Sequence, residues 1–303
     1  MAGLKELRTR IDAIKSTQKI TAAMKMVAAS RLRRVQILVD KNQGYADNLR
    51  RSAKRVLYDI EQEEKEKHIK YMRPTLAQEA KNPKQYLLVV MSSDRGLCGS
   101  YNANAAKKAI ARINELHALG KQVKVVCWGK KAYDILRHVY PDMEFSVLET
   151  PDKSVFYPKE AQKVAKKILE AFKAKQFEVC EFVYADFITV VNRNFVCEQV
   201  CPVNLHYDIV DENLNVVNGA FYEYVPDKLT ILEKILPIIF IDNIFRILVN
   251  SAASEHSARM TSMDNATNNA KDMISELTLK YNSLRQSAIT TELIEIIAGA
   301  EAV

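Results

Sequence analysis

Apolar side chains recur every three or four residues at both ends of this chain and cluster in short continuous runs in its middle. At the N-terminal end Leu4, Leu7, Ile11 and Ile14 share one helical face, and the line continues through the polar Gln18 and Thr21. A second line, Ile20, Met24 and Val27, takes over beside it. Neither Gly nor Pro interrupts residues 4–43 or 238–298, so each stretch predicts a very long helix. At about 1.5 Å of rise per residue the second would reach roughly 90 Å. Helices of that length outrun a compact core and must pair with each other or with other chains. In the C-terminal stretch the stripe runs Phe245, Leu248, Ala252, His256, Met260, Met263, Ala270, Met273, Leu277, Tyr281, Leu284 and Ala288. It is rich in Ala and Met, which predicts a thin, close contact rather than a bulky core.

Between the ends the pattern changes. YLLVVM (86–91), VKVVCW (123–128), EFSVLE, FEVCEFVYADF and FVCEQVCPVNL read as strands. ANAAKKAIARINELHAL, KKAYDILRHVY and PKEAQKVAKKILEAFKAK (158–175) read as helices between them, the first closed by Gly120, the second by Pro141. This alternation predicts a parallel or mixed sheet with helices on its faces. Gly44 is expected to weaken or locally end the first long helix, and Pro237 to kink or break the second. The charged run at 46–71 is expected to face solvent. Asn218-Gly219 marks a turn before FYEYV. The fold class is therefore α/β: a long antiparallel coiled coil of N- and C-terminal helices with an inserted Rossmann-like α/β domain. The corresponding segments are 1–73, 74–226 and 227–303.

Charge sharpens this picture. The net charge is +7 over 303 residues, but residues 1–34 carry nine Lys and Arg against Glu6 and Asp12, whereas 238–303 carry five against eight acids. A basic first helix and a mildly acidic last one suit mutual pairing, and the basic excess suits an acidic partner. Nucleic acid is one such partner, so a basic coiled-coil nucleic-acid-binding protein is the alternative reading; residues 1–34 contain no Phe, Tyr or Trp for base stacking, which counts against it. The greasiest stretch, PIIFIDNIFRILV, is interrupted by Asp242, Asn243 and Arg246, so no transmembrane run is expected. Five cysteines and no apolar leader favour a reducing compartment.

Candidate chemistry is sparse. SSDRGLCGSYN joins a strand to a helix, where phosphate loops sit, but it contains neither GxxxxGK[ST] nor GxGxxG and is expected to be a sharp structural turn. Cys98 beside it is expected to be a half-buried structural thiol. Cys197 and Cys201 would lie about 13 Å apart on an extended strand, too far for a disulfide, and close together on a helix; FVCEQVCPV favours the strand and core thiols. The histidines have no metal spacing, and His256 is expected to be packed. No catalytic residue, metal or cofactor is expected, and a nucleotide-using α/β enzyme is disfavoured.

Two terminal segments carry a resemblance. LKELRTRIDAIKSTQKITAAMKMVAASRLRR at 4–34 resembles the N-terminal helix of the γ-subunit family of F-type ATP synthases. SAASEHSARMTSMDNATNNAKDMISELTLKYNSLRQSAITTELIEIIAGAEAV at 251–303 resembles that family's C-terminal helix, and MSSDRGLCGSYN at 91–102 the loop after its first strand. The resemblance implies a non-catalytic central rotor shaft that transmits torque between an ion-driven membrane ring and a catalytic head, coupling ion flow to ATP synthesis. Implied partners are the α and β subunits of the head, the ε subunit and the c-subunit ring, with no nucleic acid. It implies that Met24, Glu255 and Arg259 lie where the helices cross near acidic levers of the β subunits, and that Arg285, Gln286, Thr290 and Glu292 contact a β-subunit catch loop. If Met24 faces Arg259, the N-terminus falls near Tyr281. The expected location is peripheral, on the cytoplasmic face of the bacterial inner membrane, with the matrix side of the mitochondrial inner membrane as the alternative. Without the dithiol insert of the plant chloroplast type, Cys197 and Cys201 are not its redox switch. IEQEEKEKHIKYM at 60–72 matches no pattern.

Overall fold

In a computed structural model of the chain, residues 2–78, 80, 82–148, 158–203 and 223–301 are described. Two helices dominate: α1 (Ala2–Lys67, 66 residues) and α5 (Lys228–Glu301, 74 residues). They run antiparallel. Thr267 Oγ1 donates to Thr21 Oγ1 at 2.8 Å, Lys25 reaches Asp264 at 2.6 Å, and Arg50 Nη2 reaches Asp242 at 3.1 Å and Asn243 Oδ1 at 2.8 Å.

Between them the chain forms β1 (Gln85–Met91), α2 (Tyr101–Ala118), β2 (Gln122–Trp128), α3 (Lys130–Val139), β3 (Phe145–Leu148), α4 (Pro158–Lys173), β4 (Val179–Phe187) and β5 (Arg193–Cys201). The sheet order is β3-β2-β1-β4-β5, parallel except for the antiparallel pair β4–β5. Because side chains alternate across a strand, β1 serves both faces. Leu88 and Val90 pack with Ala109 and Ile113 of α2 and Leu136 of α3. Leu87, Val89 and Met91 point to the other face, with α4 and the paired long helices.

Neither expected helix end occurs, and the charged run is not exposed throughout, each for the same physical reason. α1 runs unbroken through Gly44 and α5 through Pro237. A helical glycine costs about 1 kcal/mol and an interior proline about 3. Burial on either side offsets this: Val35 and Ala46 flank Gly44, while Leu232, Leu236, Ile239 and Phe240 flank Pro237. Each fully buried aliphatic or aromatic side chain contributes about 1.5–3 kcal/mol. Likewise the charged 46–71 run is not simply solvent-facing. Ala53, Val56, Leu57 and Ile60 lie inside it at helical spacing and enter the core.

The interruptions in the greasy run are sockets. Asp242, largely buried, and Asn243 accept from Arg50, while Arg246 donates to Tyr184 Oη at 3.1 Å and to Glu198. Despite these polar residues, a stretch of α5 is long and apolar enough, by length and composition, to cross a membrane; most of it is buried against the rest of the chain, as in a core helix. The Asn218-Gly219 turn lies outside the described residues.

Candidate functional site: the crevice end and the shaft tip

In a doubly wound sheet a ligand normally binds beyond the carboxyl ends of the strands, where the chain reverses its direction of travel across the sheet. Here that point lies between β1 and β4, because β2 and β3 lie to one side of β1 and β4 to the other. Beside it, the loops that follow β1 and β2 are tied to each other. Ser92 Oγ donates to Gly129 O at 3.1 Å and accepts from Ala132 N at 3.0 Å. Gly129 sits at φ 111°, and a Cβ there would fall 2.3 Å from Ser92 O, so the two loop ends meet backbone to backbone. Ser93 N donates to Asn102 Oδ1 at 3.0 Å, and the Asp94 carboxylate accepts from Lys130 N at 3.1 Å. The polar groups that could have gripped a phosphate hold each other.

α5 then lies over the same end. Tyr101, at the start of α2, is fully buried, and its hydroxyl is 2.9 Å from Ser251 Oγ. Ser254 Oγ donates to Ala185 O at 3.0 Å, Ser257 Oγ to Val190 O, and Asn250 Nδ2 to Asp186 Oδ1 at 2.8 Å. Burial, and after it the Glu255 carboxylate, push the Tyr101 phenol well above its ordinary value, and burial raises the Asp186 carboxyl. Both are engaged in hydrogen bonds to α5, Tyr101 with Ser251 and Asp186 with Asn250. Cys98 is fully buried rather than half-buried, packed with Tyr101, Ala185 and Ala258, because the loop folds inward against α5.

Glu255 and Arg259 stand one turn apart on α5 and pair at 3.0 Å with side chains only 9% and 13% exposed. Met24 is half-buried on α1. It does not stand across from Arg259: the Lys25–Asp264 and Thr21–Thr267 contacts set a register about one turn further along α5. The small faces of Ala28 and Ala270 let the helices close up there, and the Thr21–Thr267 bond fixes the phase. Ile20 and Val27, expected to join the seam, are instead exposed at 60% and 52%, because the Gln18–Thr21–Lys25–Ala28 line keeps the contact.

Equal rise on both helices brings the start of α1 to about residue 286 of α5, leaving the end of α5 without a partner among the described residues. Arg285, Gln286, Thr290 and Glu292 all lie on this end and are exposed. Thr290 Oγ1 donates back to Gln286 O at 2.9 Å. Ile289, Leu293, Ile294, Ile296 and Ile297 are between 48% and 68% exposed. The candidate residues thus fall into two groups, at the crossing and at the tip.

Reading the sequence missed the docking of the 92–101 loop on α5. A signal was available in the serines at 251, 254 and 257, whose spacing sets hydroxyls on one face of a helix. Cys197 and Cys201 do lie on a strand. Cys201 sits opposite Cys180 across β4–β5, and Cys197 Sγ donates to Glu181 Oε2 at 3.2 Å. Burial raises their thiols, that of Cys201 to about 12. His256 is buried, as expected of a packed histidine. Among the described residues no group of three or more His, Cys, Asp or Glu is placed to hold a metal.

An α/β domain strapped to a long two-helix shaft with a bare tip defines a stalk-type subunit. The sequence comparisons give that class its family. The ATP synthase family model matches residues 3–303. The ATP synthase gamma chain of Pelagibacter ubique (strain HTCC1062) is 39% identical over 99% of both chains. That of Maricaulis maris (strain MCS10) is 40% identical over the whole of both. The chain belongs to the ATP synthase gamma-chain family. In fold it is similar to a chain of the Euglena gracilis mitochondrial ATP synthase OSCP/F1/c-ring assembly, with a TM-score of 0.64 and 17% identity, covering 99% of this chain and 94% of that one. It is also similar to a chain of the Tetrahymena thermophila mitochondrial central stalk and c-ring, with a TM-score of 0.55 and 21% identity, covering 82% and 99%.

Proposed function

We propose that this chain is the central rotor shaft of an F-type ATP synthase, transmitting torque between the ion-driven membrane ring and the catalytic head while performing no chemistry itself. The observation that carries this reading is the end of α5: a lone helix with exposed Ile289, Leu293, Ile294, Ile296 and Ile297, extending past the helix that covers the rest. An exposed apolar strip of this kind marks a surface that other subunits cover. The shaft biases which conformation each catalytic site adopts, through contact energies that differ between its faces.

In this reading the α and β subunits surround the tip and the crossing, and the ε subunit and c-ring meet the other end. The complex holds the chain peripherally at the membrane, on the cytoplasmic face of a bacterial inner membrane. Arg285 and Gln286 grip a catch loop of a β subunit, Arg285 through a fork of hydrogen bonds to a carboxylate, with Thr290 and Glu292 beside them. Met24, Glu255 and Arg259 form the bearing near the β-subunit levers. An ammonium at position 24 would add a charged grip to that bearing, so Met24→Lys is expected to lower coupling efficiency while assembly proceeds. The tied loops beside the crevice support the non-catalytic role, and nothing in the fold favours nucleic acid.

The test is reconstitution. With Arg285→Ala/Gln286→Ala, ATP synthesis and ion-coupled hydrolysis should fall while nucleotide occupancy of the head is unchanged. ATPase activity of the purified chain alone, proportional to its concentration, would overturn the reading.

A further inference from the structure

The α/β domain holds a cavity that the shaft role does not use. It lies between α4 and the β1–β2–β3 part of the sheet, on the face shared with α5, and has a volume of about 490 Å³. That lies within the range of small-molecule sites, roughly 300–1,000 Å³. Its floor is apolar: Leu87 and Val89 of β1, Val126 of β2, Val164 and Ile168 of α4, and Phe177. Among the described residues α5 and α4 cover the β1–β4 half of this face, and no further helix covers its β2–β3 half.

The rim is charged. Lys124 and Lys167 line the cavity from opposite walls, with Glu144, Ser146 and Gln176 between. Among the described residues neither lysine takes part in an ion pair, whereas the neighbouring Lys166 is within 3.9 Å of Glu170. The exposed face of α4 adds Lys159 and Lys163. Two free ammonium groups against one carboxylate give the mouth a net positive charge above an apolar floor.

We infer that this cavity binds a small amphipathic anion: a single apolar chain on the Leu87–Val126–Ile168 floor with a carboxylate or phosphate head between Lys124 and Lys167. A lysine on a flexible stem packs its methylenes along the wall and turns its ammonium to the head group. A hydrophilic anion leaves the floor wet, and an alkyl cation meets like charge. A nucleotide finds no cradle of backbone amides here.

The test uses the full-length chain and four probes: octanoate, butyrate, octylammonium and inorganic phosphate, titrated by calorimetry and by NMR. Octyl phosphate, run as a fifth arm beside octanoate, distinguishes a phosphate from a carboxylate head. Octanoate is expected to bind and to shift the methyl signals of Val126 and Ile168. Butyrate should bind about 250-fold more weakly, since it lacks four methylenes and each buried methylene is worth roughly fourfold. Lys124→Glu combined with Lys167→Glu should weaken octanoate at least about tenfold, both side chains being exposed enough to change without disturbing the fold. Ala171→Leu, which fills the cavity from α4, should abolish binding. Octylammonium binding as well as octanoate, the double lysine variant binding octanoate unchanged, or phosphate competing as strongly as octanoate would each overturn the proposal, as would no saturable octanoate binding.

Discussion

The two halves of the shaft are built from different side chains. In the half backed by the sheet, α1 contributes Leu32, Val35, Val56, Leu57 and Ile60, and α5 contributes Leu232, Leu236, Phe240, Ile244, Ile247 and Leu248, all buried in one core with β1, β4 and α4. In the free half, the contact is Thr21, Lys25 and Ala28 against Met263, Asp264, Thr267 and Ala270. The first is thick and aliphatic; the second is thin and partly polar. Stability is thus concentrated where the shaft joins the α/β domain. The free half keeps only enough contact to hold two helices in register, leaving Ile20, Met26 and Val27 on the outside for a partner. A rod that must turn against neighbours gains from this: its stiff end is anchored, and its working end stays slender.

The comparison breaks first under core truncation. Leu236→Ala, at a fully buried position in the thick half, should lower unfolding stability by about 2–5 kcal/mol in urea melts. Met263→Ala, between two helices free to close on the gap, should cost no more than about 2 kcal/mol. Equal costs would erase the distinction between halves.

Removing the strap should have the next largest effect. Tyr101→Phe leaves Ser251 without its hydroxyl partner and should cost about 1–2 kcal/mol. Hydrogen exchange should rise in the 250–258 stretch of α5 more than in 266–274. Protection lost evenly along α5 would show that the strap does not locate the helix on the sheet.

The Lys25–Asp264 pair is half exposed on both sides, at 43% each, so its coupling in a double-mutant cycle should stay below about 1 kcal/mol and shrink with salt. A larger value would mean that the thin half is held by charge rather than by the fit of small residues.

The smallest effect concerns the foot of the shaft. Lys228, then Lys67 and Tyr71, hold the Glu63 carboxyl at about 2, below its ordinary 4.5. A carboxyl with a lowered folded-state pKa stabilises above its unfolded value, and that contribution fades as pH falls from about 4.5 towards 2. Glu63→Gln should therefore flatten the acid side of the stability profile across this window, modestly because the group is open to water. An unchanged acid limb would remove Glu63 from the contacts that close the foot.

Much of this protein was legible in its sequence because local patterns determined it. The absence of Gly and Pro over 4–43 and 238–298, with apolar residues at three-four spacing, set the long helices. Strand-length runs separated by helices set the α/β middle. The terminal residues, with the 91–102 loop, were enough to suggest the family. What tertiary structure decided were the outcomes of competition between distant segments. Whether Gly44 and Pro237 break their helices depends on burial beside them that no local window contains. Whether Gln18 and Thr21 or Ile20 and Val27 face the partner depends on Thr267 and Asp264, more than two hundred residues away. That α5 lies over the crevice end depends on Ser251, Ser254 and Ser257 meeting Tyr101, Ala185 and Val190. A sequence fixes the preferences of each segment, but register and occupancy are differences between whole arrangements, settled only when both partners are in place.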